Sequence, residues 1–212
     1  MELIEAQTKY TQGEFEEALI KCEDALAQST DIEVSSLICV LESEIYTEQE
    51  EYTKAADSAI RVTKFDSSKD ARRRAGSLAF EAGNHLEDTK EKNGWYEKAK
   101  KYYETLCQDE TCSYEDEMNY ALVLQALEQY SDSNVCLRKM REEYPDDYKV
   151  LMWMCYNYLG IGNQKGSMAE VESDLNFSYS SCKYLYSQDE SMTGSSDEDM
   201  EKLNELMKQL EE

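Results

Sequence analysis

Proline and histidine are nearly absent from this 212-residue chain, at one each, and glycine is scarce at eight. Average usage would supply about ten prolines and fifteen glycines. So few helix breakers point to helix almost throughout, with short connections. No apolar run approaches the ~20 residues of a membrane span, and the N-terminus lacks the basic-then-apolar pattern of an export signal. One histidine and no Cys/His or Ser/His spacing leave little from which to build a nucleophilic or zinc site. Basic residues are outnumbered, 22 against 46 acidic, for a net charge of −24. Most of such a surface repels nucleic acid. The exception is 54–101, where 12 basic residues exceed 8 acidic ones.

What the chain does have is a recurring phrase. Gly13-x-Phe15-x-x-Ala18-x-x-x-Cys22-x-x-Ala25 returns as Glu50-x-Tyr52-x-x-Ala55-x-x-x-Ala59-x-x-Val62. It returns again as Gly94-x-Tyr96-x-x-Ala99-x-x-x-Tyr103-x-x-Leu106 and Glu128-x-Tyr130-x-x-Ser133-x-x-x-Leu137-x-x-Met140. Gly162 falls on the same comb, giving spacings of 37, 44, 34 and 34 residues. Seven positions before the turn residue stand Ala6, Ser43, Ala121 and Cys155, with Ala79 as the equivalent in the third unit. A repeat near 34 residues with this grammar predicts stacked helix–turn–helix units. Small side chains let the two helices of each unit approach closely. Cap signals at Thr30–Glu33, Ser67–Asp70, Ser113–Asp116 and Ser195–Glu198, with Pro145 after the fourth unit, place the helix starts. The insertion Glu87–Gly94 is expected to lengthen the third hairpin loop.

The quoted units resemble tetratricopeptide repeats over about residues 2–162, with a degenerate second helix after them. Glutamate stands for the turn glycine at Glu50 and Glu128, and the family's proline survives only at Pro145. The resemblance implies an all-α, right-handed superhelix and a peptide- or protein-binding groove lined by first helices. The expected organisation is a repeat array over 1–187, a flexible acidic linker over 188–199 and an amphipathic capping helix over 196–212. Met200, Leu203, Leu206, Met207 and Leu210 form that helix's apolar stripe. The linker does not make a calcium loop, because its twelfth position is Met200 where a bidentate glutamate is needed. The segment Tyr144–Gly162 with the acidic C-terminal helix also resembles the C-terminal repeat region of some bacterial serine/threonine protein kinases. That second resemblance implies a regulatory segment, the kinase lying upstream, since the chain has no phosphate loop, His-Arg-Asp or Asp-Phe-Gly.

The cationic clamp some tetratricopeptide repeats use for carboxylate-ended tails is missing from the corresponding faces. Met118, Leu122, Met152, Tyr156 and Leu159 instead predict an apolar, methionine- and tyrosine-lined groove suited to a helix or extended peptide. The same stripe is what packed core looks like at helical spacing. Seven cysteines without a disulfide framework read as reduced thiols and a cytoplasmic setting. The function expected is a non-catalytic scaffold, without metal or cofactor, for a protein or peptide partner with a basic face. An enzyme with an unrecognised site is the alternative from another class.

Overall fold

The computed structural model describes residues 2–108, 112–188 and 197–211. Among them are eleven α-helices and no strand. They fall into two compact units, Met1–Cys112 and Ser113–Glu212.

The first unit holds three antiparallel hairpins: α1 (Glu2–Thr11) with α2 (Phe15–Gln28), α3 (Ile32–Glu48) with α4 (Tyr52–Val62), and α5 (Lys69–Asn84) with α6 (Thr89–Cys107). The small residues of the repeat lie at their crossings. Ala6, Ala18, Ser43, Ala55, Ala79 and Ala99 are all fully buried. Larger side chains such as Ile38, Leu41 and Ile45 fill the space between one hairpin and the next. Short polar side chains start α3, α5 and α6 by accepting otherwise orphaned amides. Asp31 accepts from Glu33 and Val34, and Ser68 from Ala71. The capping residue is Asp31 rather than Thr30.

In the first, second and fourth hairpins the turn is a Schellman motif that repeats with the same hydrogen bonds. Gly13 has a positive φ; its amide donates to Tyr10, and the next amide, of Glu14, donates to Lys9. Glu50 and Glu128 adopt the same left-handed backbone at φ 59° although neither is glycine. Their amides donate to Thr47 and Gln125, and those of Glu51 and Gln129 to Tyr46 and Leu124. The motif is therefore held by the phase of the repeat, against the local cost of a Cβ in that region.

Two expectations about turns are corrected. The insertion Glu87–Gly94 does not lengthen a loop. Asp88 accepts from the Glu91 amide at 2.9 Å and starts α6 there, so Gly94 lies within a helix. The hairpin turns instead near His85–Asp88, and Gly83 leaves room for the Tyr96 ring where a Cβ would collide. Likewise Gly162 is helical, covered by Met168, and the left-handed turn residue is Gly166 at φ 66°, one helical turn later.

The second unit comprises α7 (Tyr114–Ala126), α8 (Tyr130–Glu143), α9 (Tyr148–Lys165), α10 (Glu172–Gln188) and α11 (Glu198–Glu211). Its core joins Leu137, Met140, Leu151, Cys155 and Tyr158 to Met200, Leu203 and Met207 of α11. A buried polar knot ties α7, α8 and α9. Asn157 donates to Ser133 at 2.8 Å and Asn134 at 3.0 Å, accepts from Gln125, and Ser133 donates to the Ala121 carbonyl. The acidic linker expected at 188–199 lies largely outside the described residues, at 189–196.

The helix α11 runs against α10 in the opposite direction, with contacts Tyr186 to Asp197, Cys182 to Met200 and Tyr179 to Asn204. It closes the face of the α9–α10 hairpin, as a cap does. Of its apolar stripe, Leu206 and Leu210 stay exposed rather than packed.

Two outcomes follow from this architecture. Replacing Glu50 or Glu128 with glycine should relieve the left-handed strain and raise stability by about 1 kcal/mol each, read as a higher urea midpoint at unchanged m. Deleting 197–212 should lower the melting temperature and produce concentration-dependent association in sedimentation velocity, because the seat of Met200, Leu203 and Met207 is uncovered.

Candidate functional site

On α7, Met118 and Leu122 stand one helical turn apart; on α9, Met152, Tyr156 and Leu159 occupy successive turns of one face. The two helices touch, so the five residues join one apolar cluster. They are not equivalent. Met118 is 9% exposed and Met152 only 2%, whereas Leu122, Tyr156 and Leu159 are half-buried. Two methionines are thus part of the packed core, and the other three residues keep partial access to solvent. Trp153, which the sequence reading passed over, packs beside Tyr156 with ring centroids 5.3 Å apart.

The capping helix reaches this face. The Tyr156 hydroxyl donates to the carbonyl of Asp199 at 2.7 Å, and Tyr148 donates to the Asp197 carboxylate at 2.7 Å. Burial, then the Asp199 and Asp197 charges, push the Tyr156 phenol up to about 12, so it remains a neutral donor. Residues 113–212 carry 21 acidic side chains against 8 basic ones, giving the unit a strongly negative surface.

Elsewhere His85 and five of the seven thiols are occupied or quiet. His85 contacts the Glu81 carboxylate at 2.9 Å and stacks on Tyr52 at 4.0 Å, beside a shallow recess of about 170 Å³. Burial raises the thiols of Cys22, Cys39, Cys136, Cys155 and Cys182, with Cys22 pushed up to about 11 and Cys182 to about 12. Thiols so disfavoured as thiolates make poor nucleophiles. Among the described residues no group of three or more His, Cys, Asp or Glu is placed to hold a metal ion. No described helix is long and apolar enough to cross a membrane.

The Arg72-Arg73-Arg74 run divides three ways in the first unit. Arg73 bonds Asp70 at 2.8 Å, Arg74 reaches Glu44 at 3.2 Å, and Arg72 lines an open cleft of about 490 Å³ with Lys98, Lys101 and Tyr102. Lys98 there lies over the Trp95 ring and 3.8 Å from Asp57. Two of the three arginines are therefore committed to carboxylates of this chain.

No family model and no curated protein matches the chain. Solved structures do. MamA of strain MSR-1 superposes with a TM-score of 0.59 at 13% identity, over 87% of this chain and 94% of that one. MamA of Desulfovibrio magneticus RS-1 gives 0.58 at 14% identity, over 87% and 93%. A tetratricopeptide repeat protein of Parabacteroides merdae gives 0.49 at 18%, over 95% and 80%. At these identities the likeness is one of fold: the chain shares with MamA an all-α architecture of helical hairpins.

Proposed function

We propose that this chain is a non-catalytic protein-interaction scaffold whose second unit receives an amphipathic helix with a basic flank. The observation that carries the reading is the division within the apolar cluster. Leu122, Tyr156 and Leu159 keep partial exposure on a face whose floor, Met118 and Met152, is already packed. A rigid floor with accessible aromatic and aliphatic side chains is the form of a helix-in-groove seat. Methionines beneath it tolerate differently shaped apolar anchors. The excess of acidic residues over 113–212 favours a partner with Lys or Arg beside its apolar stripe and disfavours nucleic acid. Stacked helical hairpins present an extended surface, which makes interaction the expected use of such a fold. The kinase-linked reading draws no support from the fold.

The test uses the full chain and a fluorescein-labelled, 18-residue model helix with leucine on one face and lysine on the other. Fluorescence anisotropy should show saturable binding that weakens by about tenfold or more in a Leu122→Asp, Leu159→Asp variant whose helical circular dichroism is unchanged. Binding should also fall with added salt, and an isosteric glutamate-faced peptide should bind more weakly. Equal affinity for the variant, or no saturable binding by the native chain, overturns the proposal. Met152→Asp serves as a folding control: a carboxylate at a 2% exposed position should unfold the unit rather than report on binding.

A further inference from the structure

Burial raises five of the seven thiols; the remaining two, Cys107 and Cys112, stand close together in sequence at the end of α6 and just before α7. Cys107 is the last residue of α6, and Cys112 immediately precedes Ser113, the N-cap of α7. Both are half-exposed, and their sulfurs approach to 2.9 Å. That separation is well inside the about 3.5–4.0 Å at which even smaller carbon atoms rest in non-bonded contact. It is only about 0.9 Å longer than a sulfur–sulfur bond.

We propose that Cys107 and Cys112 form a reversible dithiol–disulfide site that exchanges with small-molecule disulfides of the glutathione type. The thiolate of one cysteine attacks a sulfur of the small disulfide, whose sulfur–sulfur bond breaks and releases one small thiolate, which takes up a proton. The second cysteine, as thiolate, then attacks the protein sulfur of the mixed disulfide and expels the second small thiolate. The protein loses two electrons and two protons, the small disulfide becomes two thiols, and the Cys107–Cys112 bond remains. The product is a closed ring spanning 107–112, at the boundary where the first compact unit ends and the second begins. Oxidation thereby ties the last residue of α6 to the residue before the α7 cap, while the buried thiols of both units stay reduced.

The experiment equilibrates the full chain in glutathione buffers of increasing oxidised fraction, quenches with acid, alkylates under denaturing conditions and maps peptides by mass spectrometry. The expected result is the loss of two alkylatable thiols in one step, independent of protein concentration. They should appear as a single intramolecular Cys107–Cys112 link that dithiothreitol reverses. In a Cys107→Ser chain, Cys112 should instead accumulate the glutathione adduct, which marks the intermediate that can no longer resolve. Stable glutathione adducts on both cysteines of the native chain, links between chains, or first loss from any of the other five cysteines overturns the proposal. Because the link is read chemically, a failure of the helix-binding test leaves this result intact, and the reverse also holds.

Discussion

Where the two helices of a repeat cross, small side chains sit on both sides of the contact, and the rest of the architecture depends on that close approach. Ala6 with Ala18, Ser43 with Ala55, Ala79 with Ala99, and Ala121 with Ser133 are at most 1% exposed. In the fourth pair the Ser133 hydroxyl reaches the Ala121 carbonyl at 2.8 Å, which measures how near the backbones come. A large side chain at any of these points would force the hairpin open at a cost of about 1–3 kcal/mol. With the hairpins this tight, the bulky residues of the repeat are displaced toward the neighbouring hairpins, where they become the shared core.

The connections obey that packing. At Glu50 and Glu128 the chain accepts a left-handed residue with a side chain, because the helices on either side fix where it must turn. In the third hairpin, helix formers after Asp88 and the Asp88 cap itself let α6 begin early, and the turn moves upstream to suit Gly83 and Tyr96. In the fifth, α9 runs one turn longer before Gly166 stops it. Repeat phase is thus conserved at the crossings and negotiable at the turns.

The apolar face of the second unit grades into its core, and α11 is what draws the line. By covering the α9–α10 hairpin it contributes Met200, Leu203 and Met207 to the interior, and by accepting the Tyr156 hydroxyl it orients that half-exposed side chain. A surface assembled this way offers shape and acidity, while burial disfavours the thiolates of Cys22, Cys39, Cys136, Cys155 and Cys182, and His85 pairs with Glu81 and stacks on Tyr52.

The sequence by itself determined the helical class, the crossings and most helix starts, because each rests on contacts within a turn or two: Ala at seven- and five-residue offsets from a turn, Ser68 and Ser113 beside the amides they cap. It also marked Met118, Leu122, Met152, Tyr156 and Leu159 as one apolar stripe. It did not separate floor from rim, since a groove and a core present the same period, and only the packing of α11 and the neighbouring helices sets the exposure of each residue. The same limit applied to the glycine comb, where Gly94 and Gly162 carry the turn's residue type without its geometry. The Asn157 knot across three helices was decided by the tertiary path alone, since its partners are brought together by how helix faces dock, which no local spacing records.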